Sequence, residues 1–317
     1  MTRVSFAINR REFLVMTGAT IATTRTGSSL ASTPANHLKN GVTLTWLAND
    51  AMADLQGTLG KLAKIGYTQV EVFDGLSQNA KELRDLITAS GLQCESMLFW
   101  RQFESTRSDL STDFARDAEL SRQIEFAHTL GVRYMVYAYV PFARGQDRSS
   151  TIAATKRLTL DDYKREAEIF NKIGAQTKKA GLWFGYHNHN FEFRDFDGTL
   201  GYDELLRSSD PALVKMEMDV GWVVAAGQDP TRYFKQHSGR FCCLHVKDVK
   251  VRDPNLEFRL EPVEVGKGVV NWRAVLAAAQ KAGVRRGYVE YEASEPLSRP
   301  ALESAKDCYE YLQSLAV

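Results

Sequence analysis

A single joint recurs along this chain, and it limits the folds open to it more than any other feature. Lys64-Ile65-Gly66-Tyr67 leads into Gln69-Val70-Glu71-Val72-Phe73, and Ala89-Ser90-Gly91-Leu92 leads into Gln93-Cys94-Glu95-Ser96-Met97. Thr129-Leu130-Gly131-Val132 leads into Tyr134-Met135-Val136-Tyr137, and Lys179-Ala180-Gly181-Leu182 into Trp183-Phe184-Gly185-Tyr186. Lys281-Ala282-Gly283-Val284 runs into Gly287-Tyr288-Val289-Glu290. Each reads as a helix end, a glycine able to take the left-handed conformation past the last turn, and then a run of β-formers. Helical patterns precede the glycines, at Asp54 to Lys64, Ala80 to Ala89, Asp117 to Leu130 and Asp161 to Lys179. Adding Val42 to Leu47, Val214 to Met218 and Phe241 to Val246 gives eight candidate strands. Strands alternating with helices imply parallel βα units. Eight units in roughly 280 residues fit one closed (β/α)8 TIM barrel. No G-x-G-x-x-G follows the first strand, which counts against a dinucleotide-binding sheet. The barrel domain is expected over residues 40–317.

The late strands end in metal-binding chemistry. Strand five closes on Tyr186-His187-Asn188-His189, strand six on Met218-Asp219, strand seven on Leu244-His245-Val246-Lys247-Asp248, and strand eight on Val289-Glu290. His, Asp, His and Glu are ligands that a divalent metal takes. They arrive at the C-terminal ends of successive strands, which is how a barrel assembles a site from several elements. Side chains alternate along a strand, so His187 and His189 share one face and Asn188 takes the other. His187, Asp219, His245 and Glu290 are therefore the candidate metal ligands. Glu292 is the register rival of Glu290.

These stretches carry a resemblance. Gly66-Tyr67-Thr68-Gln69-Val70-Glu71-Val72, Gly185-Tyr186-His187-Asn188-His189-Asn190-Phe191-Glu192-Phe193, and Asp219-Val220-Gly221-Trp222 through Asp229-Pro230 are three of them. His245-Val246-Lys247-Asp248 and Gly266-Lys267-Gly268-Val269-Val270-Asn271-Trp272 complete the set. From about residue 42 onward the chain resembles the xylose-isomerase-like barrel superfamily of sugar isomerases and epimerases, which also holds an apurinic endonuclease branch. The resemblance implies one divalent ion (Mn²⁺, Co²⁺, Mg²⁺ or Zn²⁺) held by a Glu, an Asp, a His and a Glu from strands five to eight. Asp219, His245 and Glu290 match the last three, while His187 stands where the first Glu is expected. Glu192 could supply that carboxylate if the chain folds back. Trp222 stands where many members have a second His.

In the epimerases two glutamates flank the substrate and exchange protons on opposite faces, so His187 removes half of that pair. The departures leave room for a one-base elimination, as in the inosose-dehydratase and keto-glycoside-cleaving relatives. The expected reaction is proton removal next to the carbonyl of a sugar or keto-sugar derivative. It is read as isomerase or epimerase chemistry, with a lyase or dehydratase as the alternative. The base is sought among His189, Glu290 and Glu71, and Lys247 is placed as a donor to a developing oxyanion. The bland readings are a support role for His189, a rim salt bridge for Glu71, and neighbour pairing for Lys247 and Asp248.

Trp100, Trp222 and Trp272, with Phe99 and Tyr139, could stack on a sugar ring or fill the core. No basic phosphate-binding cluster stands out, so an unphosphorylated small-molecule sugar or polyol is favoured. Gly266 and Gly268 are expected to shape a turn passing close to the site. His37, His128 and His237 read as tail, helix and surface positions.

The N-terminus follows a different logic. Asn9-Arg10-Arg11-Glu12-Phe13-Leu14 and the mildly apolar stretch after it resemble a twin-arginine export signal over residues 1–35, which implies a periplasmic protein. That stretch is too short and too broken by Thr and Gly to span a bilayer. The formal net charge is +1; removing the first 35 residues, with four Arg and one Glu, leaves 36 basic against 38 acidic side chains. So near-neutral a body gives no support to a nucleic-acid partner. The four cysteines, Cys94, Cys242, Cys243 and Cys308, lack C-x-x-C or zinc-finger spacing, and no disulfide framework is expected. A non-catalytic sugar-binding barrel and a homo-oligomer both stay open.

Overall fold

The computed structural model describes residues 37–99, 118–138, 148–250, 261–291 and 299–315. The twin-arginine stretch, Trp100, Tyr139 and Glu292 lie outside them. Eight strands form the barrel: β1 His37–Thr43, β2 Gln69–Phe73, β3 Gln93–Phe99, β4 Tyr134–Ala138, β5 Trp183–His187, β6 Val214–Asp219, β7 Phe241–Val246 and β8 Arg286–Val289. Each pairs in parallel with its sequence neighbours, and β8 closes on β1. A closed parallel barrel leaves no free sheet edge and presents all eight C-terminal ends at one mouth.

The joint read from the sequence is what builds it. Gly66, Gly91, Gly131, Gly181 and Gly283 all have positive φ, between 76° and 121°, so each helix stops on a residue that L side chains cannot easily replace. Asp54 and Asn79 cap the helices Leu55–Ile65 and Ala80–Ala89 by accepting from Gly57 and Glu82 backbone N–H groups. The helix Leu160–Lys179 opens on a capping box between Thr159 and Asp162. It turns Tyr163, Ala167, Phe170, Ile173 and Thr177 inward, at the three- and four-residue spacing of an amphipathic face.

One boundary moved. The first strand was expected at Val42 to Leu47, but it spans His37–Thr43, and Leu44 to Leu47 turn into the helix Ala48–Ala53. Leu44 and Leu47 are fully buried in that turn, so their hydrophobicity reports burial and not strand pairing. Pairing is decided by Gly41 and Val42, which stand opposite Gln69 and Val70 on one side and Tyr288 and Val289 on the other. This seam is tight: a Cβ on Gly41 would lie 2.4 Å from the Gly287 carbonyl oxygen. His37, read as tail, opens this strand. Among the described residues no helix is long and apolar enough to cross a membrane, and all four cysteines are free.

Candidate metal centre

The interior of a parallel barrel is normally filled by branched apolar side chains. Here its mouth end is filled by ionisable ones. Glu71, Glu217, Asp219, His245 and Lys247 are completely buried, while His187, His189 and Glu290 keep only 4%, 6% and 8% exposure. Those three therefore mark the side facing the mouth. Each residue arrives because alternation along its strand turns it inward: Glu71 on β2, His187 on β5, Glu217 and Asp219 on β6, His245 on β7, with Lys247 and Glu290 just past the ends of β7 and β8.

His187, Asp219, His245 and Glu290 each offer one ligand atom within 4.8 Å of all the others. His187 Nε2 is 3.7 Å from Asp219 Oδ2, and His245 Nδ1 is 3.9 Å from the same oxygen and 2.6 Å from Glu290 Oε2. The two rings stand 4.5 Å apart at 66°. Asp219 is held as the N-cap of the helix Val220–Ala225, where its Oδ1 accepts from Trp222 N. Asn188 grips its backbone from the side, accepting from Asp219 N and donating to Asp219 O. Asp219 Oδ2 is thereby left to face the cluster. Thr45 Oγ1 donates to Glu290 Oε1, and Trp46 Nε1 donates to Val289 O, which fixes the other end of the set.

A second tier lies beneath the first. Glu71 Oε2 is 2.7 Å from His245 Nε2, and Glu217 Oε1 is 3.1 Å from both His245 Nε2 and His187 Nδ1. Glu71, read from the sequence as a rim salt bridge or a base, pairs with the His245 ring. Glu217 was not singled out from the sequence. Its signal was available, since it stands two residues before Asp219 and must share that residue's face.

Lys247 Nζ bridges Asp219 Oδ2 at 2.7 Å and Glu290 Oε2 at 3.0 Å. It also lies over the Trp222 ring, at 5.3 Å from its centroid. His189 packs between Phe191, stacked at 11°, and Trp222, with its ring 5.2 Å from that of His187. Glu192 is spent elsewhere, on the Tyr186 hydroxyl at 2.6 Å and the His189 backbone N–H, so the fifth candidate ligand does not join the cluster. Burial pushes Glu192 up to about 7, in spite of those hydrogen bonds.

Asp248 turns away from Lys247 and organises the following turn. It accepts from the backbone of Val249, Gly266, Gly268 and Val270 and from Trp272 Nε1. A Cβ on Gly268 would lie 2.1 Å from Asp248 Oδ1, so glycine there is a packing requirement. Trp272 is accordingly a buried structural residue rather than a stacking surface at the mouth, and Phe99 is fully buried as well.

The electrostatics bear on what the cluster can hold. Four buried carboxyl groups face one ammonium among the described residues, an excess of three negative charges if all ionise. Burial and then the neighbouring Glu71 raise Glu217 well above the usual carboxylate range, which lowers that excess. The negative charge that remains is what a bound cation would offset. Without an ion the cluster takes up protons instead. Burial opposes charging His245, but Glu217, Glu290 and Glu71 raise it well above the ordinary imidazole value. Burial, only partly offset by Lys247, pushes Asp219 up to about 6. Burial and the other two histidines hold His187 well below its usual value, ready to donate a lone pair. For Glu290 burial works upward, yet Lys247 and His245 hold it well below the carboxylate range. A mixed imidazole and carboxylate set that must otherwise bind protons fits a divalent metal.

The comparisons with known proteins agree with this fold. Residues 59–315 match the family described as the xylose isomerase-like TIM barrel. An inosose dehydratase of Lacticaseibacillus casei is 24% identical over 285 residues, covering 84% of this chain and 93% of that protein. The inosose dehydratase of Geobacillus thermodenitrificans is 23% identical, covering 88% and 97%. Among solved structures, a sugar phosphate isomerase/epimerase from Parabacteroides distasonis aligns with a TM-score of 0.71 at 26% identity, over 89% of this chain and 95% of that one.

Proposed function

Because the chain belongs to the xylose isomerase-like TIM barrel family and is an enzyme of that family, we propose that it is a metal-dependent lyase acting on a keto-sugar or keto-polyol. It removes the proton next to the carbonyl and expels the β-substituent. The observation that carries this reading is His187. At the strand-five position it brings an imidazole to Asp219, His245 and Glu290, where an epimerase of this family would bring the first of two opposed glutamates. One-base chemistry followed by elimination needs no such symmetric pair. Relatives named as dehydratases point the same way.

His187, Asp219, His245 and Glu290 would hold the ion, which when bound would polarise the substrate carbonyl as a Lewis acid. His189 is outside that set and on the mouth side, and we assign it the proton transfer from carbon. Lys247 carries an ammonium at the centre of the cluster, where it can donate to the oxygen on which charge develops. Elimination balances when the proton lost from carbon is matched by one given to the departing hydroxyl or alkoxyl. Glu71 and Glu217 take no part in that transfer; they hold rings.

Two measurements test the reading together. Protein purified without chelator should carry about one divalent metal per chain by mass spectrometry, lost in Asp219→Ala and in His245→Ala. The metal-loaded protein should convert a keto-sugar panel to unsaturated or cleaved products. An epimer without unsaturation would return the reading to isomerase chemistry. No metal in the wild type, even after reconstitution, would leave a sugar-binding barrel.

A further inference from the structure

We propose that Glu217 is the positioning residue of this centre: one carboxyl group that meets both histidine rings and decides which nitrogen His187 turns to the ion. The inference rests on reading His187, Asp219, His245 and Glu290 as a metal site.

β6 delivers two inward carboxylates two residues apart, and they meet the same two rings on opposite edges. In the upper tier, Asp219 Oδ2 is 3.7 Å from His187 Nε2 and 3.9 Å from His245 Nδ1. In the lower tier, Glu217 Oε1 is 3.1 Å from His187 Nδ1 and 3.1 Å from His245 Nε2. Every nitrogen of the pair is accounted for, one per ring per tier. A neutral imidazole has one N–H and one lone pair, and a carboxylate acceptor on one edge places the N–H there. Glu217 therefore puts the N–H of His187 on Nδ1 and leaves the lone pair on Nε2, whereas His245 has carboxylates against both edges, Glu71 at Nε2 and Glu290 at Nδ1. His187 Nε2 is the nitrogen that faces Asp219.

The two rings do not depend on Glu217 equally. His245 Nε2 has Glu71 as a second carboxylate partner at 2.7 Å, whereas the hydrogen bond of His187 Nδ1 runs to Glu217. His187 is the ligand that departs from the family's glutamate, so the residue that orients it is specific to this arrangement. A carboxylate with no exposure is costly in a barrel layer that branched apolar residues could fill.

The test uses the full-length protein loaded with Co²⁺. Wild type, Glu217→Leu and the isosteric Glu217→Gln are compared by the Co²⁺ dissociation constant and by the visible Co²⁺ spectrum. Loss of a carboxylate that orients a ligating histidine typically weakens metal binding roughly 10–100-fold. We expect a weakening of that size in Glu217→Leu together with an altered spectrum. Glu217→Gln, whose amide oxygen still accepts from a ring N–H, should fall between it and wild type. Variants that bind Co²⁺ as wild type does, with the same spectrum, overturn the positioning role, even if their metal-free melting temperature falls. Should Glu217→Leu not fold, Glu217→Gln decides by the same readouts. A wild type that binds no Co²⁺ overturns the metal-centre reading itself, which is a different outcome.

Discussion

Replacing Lys247 with Met separates the protein's own buried cation from an added one. Lys247 Nζ sits 2.7 Å from Asp219 Oδ2 and 3.0 Å from Glu290 Oε2, with all exposure lost. Met keeps most of the stem and removes the charge. At an effective dielectric near 20, each contact at about 3 Å is worth roughly 5 kcal/mol before desolvation is subtracted. Breaking a buried pair by deleting one partner leaves a net cost of roughly 3–5 kcal/mol. At roughly 2–4 °C per kcal/mol for a domain of this general size, the melting temperature in chelator should fall by roughly 6–20 °C. A divalent ion supplies the missing charge to the same two carboxylates. Present at about 1,000 times its Kd, it stabilises the fold by roughly 4 kcal/mol. Without the ammonium to repel it, the ion should bind more tightly in the variant. Thermal unfolding by fluorimetry, in EDTA and in saturating Mn²⁺, reads both terms. The rise in Tm on adding metal should be larger in Lys247→Met than in wild type. An equal or smaller rise would refute the idea that ammonium and ion serve the same carboxylates, as would a variant that melts like wild type in EDTA.

Three other outcomes follow from particular residues. Glu192 is raised in the fold from 4.5 to about 7, so the stability linked to its proton is complete below about pH 4.5 and is lost as pH rises through 7. Urea unfolding should show a decline on the order of 3 kcal/mol over that window, and Glu192→Gln should flatten it. Gly268→Ala drives a methyl into Asp248 and the Val249 carbonyl; overpacking of this kind costs roughly 1–3 kcal/mol, visible as a lower denaturation midpoint with the metal content unchanged. Residues 1–35 fused to a reporter should direct it to the periplasm, and changing Arg10 and Arg11 to Lys should abolish that; export that persists would remove the twin-arginine reading.

The helix–glycine–strand joint was legible because it is local. A left-handed glycine after an amphipathic helix needs nothing beyond its neighbours in sequence, and Gly66, Gly91, Gly131, Gly181 and Gly283 all adopt positive φ. Asp219, His245 and Glu290 were legible for a related reason: a carboxylate or imidazole at the end of an apolar strand is costly unless paired or metal-bound. Leu44 and Leu47 misled because burial in a turn and burial in a strand leave the same apolar pattern.

What the sequence determined by itself was the period of the chain, and therefore the barrel, and the kinds of group delivered to its mouth. Which of those groups meet was decided only by closure. Glu71 on β2 lies 174 residues from His245, and Glu290 lies 45 residues from it, yet both end against its ring. The register of eight strands set those distances. It set Glu71 and Glu217 against the histidine rings, and it seated Lys247 between two carboxylates. Contacts of that kind depend on the accumulated tilt and stagger of the whole barrel, which no local stretch of residues encodes.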